Sequence, residues 1–329
     1  MWKKDESGAI LIKSLFFTAA SGSLNINYIR SFFVSILDDD GLCAIDWGRA
    51  DHLIELALNE DLDMTGDATT LSVVPEYAES RAVLLCKEQE MIAAGLPIAE
   101  RVFKIVDPLL EFDARVEEGE LCHYGDILAV VRGPARGILT AERTALNFLQ
   151  RLCGVATTSY RYARELKGFK TVVLDTRKTT PGYRNLEKYA VAVGGASNHR
   201  IGLFDRIMIK DNHRELAALE GDGAITRAVE RARKAYPELE IEVEADCLDE
   251  VAEAAAAGVE YIMLDNMDNE TMKKAVEIVA GRAKLEASGG ITIERLKSIG
   301  EIGVDFVSSG ALTHSVKAAD ISLDIEVEK

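Results

Sequence analysis

Between residues 171 and 310 the chain alternates short apolar runs with stretches of helical periodicity, and this restricts the possible folds more than any other feature. The runs are Thr171–Leu174, Arg206–Ile209, Leu239–Val243, Tyr261–Leu264, Lys284–Ala287 and Val304–Val307. Helical patterns follow the later runs at Leu248–Ala257, Glu270–Val279 and Ile293–Ile302. A β/α alternation of this length means parallel strands joined by crossover helices. There is no dinucleotide-binding glycine fingerprint, so an α/β barrel is expected in preference to an open doubly wound sheet.

Each run ends in groups that bind or ionise. Leu174 is followed by Asp175, Thr176, Arg177 and Lys178, and Ile209 by Lys210. Val243 is followed by Glu244, and Leu264 by Asp265 and Asn266. Ala287 leads into Ser288, Gly289 and Gly290, and Val307 into Ser308, Ser309 and Gly310. Parallel barrels bring the C-terminal ends of their strands to one mouth, where active sites lie. Six such endings point to a shared cleft rather than to solvated loops.

The charge of that cleft differs from the charge of the chain. The whole sequence has 38 Lys and Arg against 55 Asp and Glu. Residues 175–213 instead hold seven cations (Arg177, Lys178, Arg184, Lys188, Arg200, Arg206, Lys210) against four acids. Lys188 is expected on an outer helix, Leu186–Val193, but Arg177, Lys178 and Lys210 directly follow strands. An anionic small molecule is therefore expected, with Arg suited to carboxylate or phosphate. The glycine turns Ser288–Thr292 and Ser309–Ala311 offer backbone N–H groups to a phosphate. Glu244 and Asp265 suit sugar hydroxyls or a Mg²⁺ reached through water, without a direct metal cage. His199, beside Arg200, reads equally well as structural or functional.

The remaining features exclude other classes. An acidic chain lacks the basic footprint for nucleic acid. Five scattered cysteines with no C-x-x-C argue against disulfides or zinc and fit a reducing cytoplasm. No apolar run of about 18 residues exists, so no membrane span is expected. Residues 1–45 lack clean periodicity. Lys3 and Lys4 before an apolar stretch resemble a weak leader, but Asp5, Glu6 and Lys13 spoil it, and an irregular extension is expected. Residues 80–135 read as a β-rich region of strands around one helix: a strand at Arg81–Cys86, a helix at Pro97–Val106, and hairpin-linked strands at Val116–Gly119 and Tyr124–Val131. The hairpin spacing resembles a lipoyl-type module, but its turn has no lysine to carry a cofactor. Two helices follow, at Thr140–Leu152 and about Thr157–Leu166.

Several motifs together resemble the quinolinate phosphoribosyltransferases, also called nicotinate-nucleotide pyrophosphorylases (carboxylating). They are Asp175-Thr-Arg-Lys-Thr-Thr-Pro-Gly182, Glu187-Lys-Tyr-Ala-Val191, Asn198-His-Arg-Ile-Gly-Leu203, Ile209-Lys-Asp-Asn-His213, Ile241-Glu-Val-Glu244, Met263-Leu-Asp-Asn266, Glu286-Ala-Ser-Gly-Gly-Ile291 and Gly310-Ala-Leu-Thr-His-Ser315. Glu60–Asp67 and Glu142-Arg-Thr-Ala-Leu-Asn147 match as well, so the resemblance runs from about Asp46 to the C-terminus. Ala196 stands where a third glycine is common, and Tyr183 where Leu or Phe is usual.

The resemblance implies an N-terminal α/β sandwich domain (46–150) and an open, incomplete TIM-like α/β barrel (151–312). It implies that segment 313–329, with a strand around Ile321–Ile325, rejoins the sandwich. It implies a homodimer with shared active sites and a Mg²⁺-dependent reaction of quinolinate with phosphoribosyl pyrophosphate, giving nicotinate mononucleotide, pyrophosphate and CO₂. Arg177, His199, Arg200 and Lys210 are then expected on the quinolinate carboxylates, with Arg143 from the second subunit. Thr176, Lys178, Glu244, Asp265, Ser288, Gly289, Gly290, Ser309, Gly310, Ala311 and His314 are expected around phosphoribosyl pyrophosphate. Lys178, Lys210, Glu244 and Asp265 are the expected catalytic groups. The alternatives are a related phosphoribosyltransferase taking nicotinate, a Schiff-base aldolase using Lys210, and a non-catalytic phosphate sensor.

Overall fold

The computed structural model describes residues 44–326. Most of the 1–45 segment, with its leader-like start, lies outside the described residues. The described chain opens with α1 (Trp47–Leu62) and α2 (Ala68–Val73). Each is started by an aspartate, Asp46 and Asp67, whose side chain accepts a backbone N–H of the first turn. The chain is tied to the later barrel from its first described residues, since Asn185 donates to Ala44 O and accepts from Asp46 N.

The N-terminal region then adds β1 (Glu79–Cys86), β2 (Met91–Ile92), α3 (Leu96–Val106), β3 (Glu111–Ala114), β4 (Leu121–Cys122) and β5 (Ile127–Pro134). Four strands make an antiparallel sheet ordered β12-β1-β5-β3, whose first member, β12 (Ile321–Glu326), is the last strand of the chain. Helix α3 buries Ile98, Ala99, Val102 and Phe103, the apolar face its 3.6-residue period provides. The expected strand at Val116–Gly119 is instead a loop. There Glu118 accepts the Gly95 and Leu96 N–H groups at the start of α3 and the Tyr189 hydroxyl. The acidic side chain serves a helix terminus, which strand pairing would have prevented. β5 pairs instead with β1 and with β3, whose half-exposed residues gave no alternation to read.

The two helices expected between residues 140 and 166 are one. Helix α4 runs from Ala135 to Glu165, 31 residues, through the expected domain boundary at 150/151. Gly154, in the gap between the two expected helices, sits in a continuous helix. A Cβ there would stand 2.4 Å from Lys317 O, so glycine admits the crossing chain rather than ending the helix. Arg151 on the same helix reaches the Thr313 and Val316 carbonyls and the buried Glu187.

The remaining strands are β6 (Val172–Leu174), β7 (Ile207–Ile209), β8 (Ile241–Ala245), β9 (Tyr261–Asp265), β10 (Lys284–Ser288) and β11 (Phe306–Ser308). They form one parallel sheet ordered β6-β11-β10-β9-β8-β7. The crossovers are α5 (Arg184–Val193), α6 (Asp211–Ala218), α7 (Ala224–Ala235), α8 (Leu248–Ala256), α9 (Asn269–Val279) and α10 (Ile293–Ile302). The sheet's edges, β6 and β7, are consecutive in sequence and do not pair, which makes it an open barrel. Strand β8 is buried throughout, as a strand covered on both faces must be. The family departures are absorbed without strain: Ala196 is buried without a positive φ, and Tyr183 stacks on Phe148.

Lys188 corrects the sequence expectation. It lies on α5, but its side chain points inward and is fully buried. Its Nζ is 2.5 Å from Asp175 Oδ1 and donates to His199 O at 2.8 Å. Burial pushes the Asp175 carboxyl up, while Lys188, the His199 N–H and the Asn198 amide draw it down. Three donors converge on its two oxygens, an arrangement that serves the charged carboxylate. Removing one member of such a pair leaves an uncompensated charge. Lys188→Met is expected to cost about 3–5 kcal/mol in urea unfolding; a loss below about 1 kcal/mol would show that the pair does not hold this corner of the fold.

Candidate active site

The C-terminal ends of the parallel strands surround a cleft of about 580 Å³. Thr176, Arg177 and Lys178 enter it from the end of β6, and Lys210 from the end of β7. Glu244, Asp265 and the Ser288-Gly289-Gly290 turn come from β8, β9 and β10. His199 and Arg200 arrive from the loop after α5. All of these were expected from the strand ends or the motif resemblance, and over a hundred residues of chain separate the first from the last.

Five expected residues do not line the cleft of this chain. Arg143 stands exposed on α4. Ser309 is buried, donating its N–H to Leu174 O and capping the short turn Gly310–Leu312. Gly310 lies against the His314 ring and the Lys178 side chain, so this turn borders the cleft beside Lys178. Ala311 is half-buried within that turn, and His314 is exposed, 2.5 Å from the Ser315 hydroxyl. Sequence reasoning missed Met208, Met263 and Asp246. The two methionines belong to apolar runs read as core; strand alternation alone could have put them on the inner face.

Two kinds of charge meet in the cleft. On one side are guanidinium groups without carboxylate partners among the described residues. Arg200 donates to Arg206 O and to the Met208 sulfur, and Arg177 Nε is buried with no hydrogen-bond partner. Burial and the Arg177 charge push Arg200 below its ordinary range, and the same two causes act on Arg184. Crowded, poorly compensated cations are costly unless a ligand supplies the anions.

On the other side Lys210 Nζ is 2.5 Å from Glu244 Oε2. Carboxylate oxygens of Glu244, Asp246 and Asp265 lie within 4.8 Å of one another. Burial, then Glu244 and Asp246, pushes the Asp265 carboxyl above the usual aspartate range, against Lys210 and Asn266. Such a cluster fits a hydrated divalent cation brought in by a polyanion better than a stripped ion, because Glu244 is already paired with Lys210.

The glycine turn is required by geometry. Gly289 has φ +84°, and a Cβ there would stand 2.2 Å from Asn266 Oδ1 and 2.8 Å from Asn266 N. Asn266 itself takes a positive φ of 54° and donates its N–H to Ser288 O. The turns after β9 and β10 thus interlock, leaving the Gly289–Gly290 backbone at the cleft.

The His199 ring lines the cleft but its nitrogens face protein. Nδ1 is 2.7 Å from the Arg200 N–H, and Nε2 is 3.1 Å from Glu242 Oε2 and 3.3 Å from Glu286 Oε2.

The chain matches two family models: Quinolinate phosphoribosyl transferase, N-terminal domain, over residues 67–153, and its C-terminal domain over residues 155–324. It is 43% identical over 295 residues to the chloroplastic nicotinate-nucleotide pyrophosphorylase [carboxylating] of Arabidopsis thaliana, covering 84% of this chain and 82% of that one. A probable nicotinate-nucleotide pyrophosphorylase [carboxylating] of Bacillus subtilis is 42% identical over 262 residues, covering 79% of this chain and 88% of that one. The solved nicotinate-nucleotide pyrophosphorylase of Francisella tularensis superposes with a TM-score of 0.80 at 37% identity, covering 86% of this chain and 98% of that one.

The raised Asp265 carboxyl has a consequence for pH dependence. If its charged form is needed, activity falls on acidification at a pH above the ordinary aspartate value of about 3.9. Asp246→Asn removes a negative neighbour and so lowers the Asp265 pKa. The acid limb of kcat/KM for the variant is expected at lower pH; an unmoved limb, or one shifted upward, contradicts the assignment.

Proposed function

The chain belongs to the quinolinate phosphoribosyltransferase family, and from that membership we infer how its cleft divides the work of the reaction. The enzyme joins quinolinate to the phosphoribosyl group of phosphoribosyl pyrophosphate and releases pyrophosphate and CO₂. The product, nicotinate mononucleotide, feeds NAD biosynthesis. The observation that bears most on the residue roles is the pair of guanidiniums, Arg177 and Arg200, held at the cleft without carboxylate partners among the described residues.

Quinolinate is a dianion with adjacent carboxylates. Arg177 and Arg200 take these groups, with Lys210 beside them, and leave the ring nitrogen free to attack C1 of the ribose. Two guanidiniums and a lysine are more positive charge than a monocarboxylate such as nicotinate needs. Thr176, Lys178 and the N–H groups of the 288–290 and 309–311 turns hold the phosphates, with His314 at the margin beside Lys178.

As pyrophosphate departs, positive charge develops at C1. Glu244 and Asp265 face that charge and the ribose hydroxyls and stabilise it. The new pyridinium nitrogen withdraws electrons, so the carboxylate at the neighbouring ring carbon leaves as CO₂, and the electron pair left on that carbon takes up a proton from water. The cations hold the ring in register through both steps. No covalent nucleophile is required, and the pairing of Lys210 with Glu244 suits an electrostatic role better than Schiff-base chemistry.

The Glu244, Asp246 and Asp265 carboxylates would hold a hydrated Mg²⁺, which would supply positive charge for the pyrophosphate leaving group. The enzyme acts as a homodimer with shared sites, Arg143 reaching the quinolinate pocket of the second subunit. In support, Arg143 is exposed on α4, and nearby α2 and the segment after it expose Leu71, Val73 and Tyr77. Such a group of apolar side chains on a surface suits an interface. The site of action is the cytoplasm. Three buried free thiols, Cys86, Cys122 and Cys153, agree with a reducing compartment, and no described helix is long and apolar enough to cross a membrane. No nucleic acid takes part.

The direct test follows nicotinate mononucleotide and CO₂ from quinolinate, phosphoribosyl pyrophosphate and Mg²⁺. Equimolar product is expected, with turnover lost on chelation and restored by Mg²⁺; no product at any Mg²⁺ concentration would defeat the reading. Shared sites predict complementation. Arg143→Ala and Lys210→Ala chains, each nearly inactive alone, should regain up to about one quarter of wild-type activity when unfolded and refolded together, because half the mixed pairs are heterodimers with one intact site. Recovery of nothing from folded mixed dimers would place each site within one chain.

A further inference from the structure

Beneath the quinolinate end of the cleft lies a pair of buried carboxylates to which the proposed chemistry gives no task. Glu242 on β8 and Glu286 on β10 are both fully buried, with the His199 ring between them. All four of their carboxylate oxygens, and His199 Nε2, lack a well-aligned hydrogen bond despite this closeness. Ser308 on β11 faces Glu286, and Arg206 places Nη1 3.6 Å from Glu242 Oε2. Two carboxylates buried beneath a dianion site would oppose ligand binding unless their charge served something else.

The contacts of Arg200 show what that is. Its backbone is held through His199, whose Nδ1 lies 2.7 Å from Arg200 N. Asp175 receives the His199 N–H, and Lys188 donates to the His199 carbonyl. The Arg200 guanidinium is held by the Arg206 carbonyl, which accepts Nη1 at 3.0 Å. Arg206 in turn stacks 4.0 Å over Tyr261 and faces Glu240 and Glu242. Glu242 therefore stands behind both supports of Arg200, touching His199 on one side and Arg206 on the other.

We propose that Glu242 is a positioning residue for quinolinate recognition, fixing the Arg200 guanidinium through His199 and Arg206 at once. His199 then acts through Arg200 and does not itself grip a substrate carboxylate, since both ring nitrogens are directed to protein. The close backbone contact at Nδ1 gives that nitrogen the acceptor role and leaves the ring proton on Nε2, facing the carboxylates. The carboxylates favour a second ring proton, pushing His199 up to about 9 against the effect of burial, but that proton would oppose the Arg200 N–H at Nδ1. Charge divides unevenly between the glutamates. Burial opposes ionisation at both, but His199 and Arg206 draw Glu242 down, whereas burial and the Glu242 charge drive Glu286 up.

The proposal rests on the assignment of Arg200 to quinolinate, and the variants separate the two. Glu242→Gln is expected to raise KM for quinolinate at least tenfold while changing KM for phosphoribosyl pyrophosphate less than twofold. Glu286→Gln, which leaves the Glu242 contacts to His199 and Arg206 in place, is expected to raise the quinolinate KM no more than about threefold. Arg206→Gln loosens one support and is expected to show the same selective effect, at least threefold; it keeps the test decisive if Glu242→Gln does not fold. Equal effects of Glu242→Gln on both KM values, an unchanged quinolinate KM in a folded Arg206→Gln enzyme, or greater damage from Glu286→Gln than from Glu242→Gln would overturn the proposal. A flat response to Glu242→Gln with Arg200→Ala strongly impaired defeats the positioning role alone. An unimpaired Arg200→Ala enzyme defeats the assignment beneath it. A stoichiometric metal in the purified enzyme that is lost with Glu286→Gln would also overturn it, by making the three residues ligands.

Discussion

An acidic chain that must hold a small dianion has to keep some cations away from its own carboxylates, and the rest of this structure follows from that constraint. Among the described residues several basic side chains are paired with carboxylates: Arg151 with Glu187, Lys188 with Asp175, Arg214 with Asp246 and Glu250. Arg177 and Arg200 are not, among the described residues. Their isolation is maintained by backbone carbonyls, a sulfur and buried neighbours in place of counter-ions. An unpaired buried cation costs stability in the empty protein and becomes binding energy when a carboxylate arrives.

Two buried acidic centres make the arrangement possible. Asp175 fixes the loop 198–200 through backbone contacts and through Lys188. Glu242 lies on the opposite side of His199. Asp175 directly follows β6 and Glu242 lies within β8, so sheet register sets the cation positions more rigidly than a surface loop could. The antiparallel sheet contributes from a distance: Arg151 and Glu118 bind it and α4 to the barrel through α5 and the 313–316 segment.

Much of this was legible in the sequence. The six parallel strands stand within a few residues of their apolar runs, because a strand covered on both faces must be apolar almost continuously. The site groups were legible because parallel topology turns strand ends into neighbours. What failed had local causes. Helix α4 was read as two helices on either side of Gly154, because the close approach of residues 316–318 leaves no trace in a one-dimensional pattern. Lys188 looked solvated because a charged residue on an amphipathic helix usually is, and its partner Asp175 is brought to it only by the fold. Glu118 looked like part of a strand although its task is to satisfy the start of α3. Family motifs, not periodicity, supplied the identity of the ligand; strand ends alone reach only an anion with a phosphate and a polyol part.

The account depends on a pocket built for two adjacent carboxylates. Calorimetric titration of the enzyme with quinolinate and, separately, with nicotinate tests this most directly, since the ligands differ by one carboxylate. Loss of a charge-assisted bidentate contact, with a guanidinium left unpaired, is worth roughly 3 kcal/mol or more, a factor of over a hundred in affinity. The predicted result is at least a hundredfold preference for quinolinate; equal affinity for the two ligands would contradict the account.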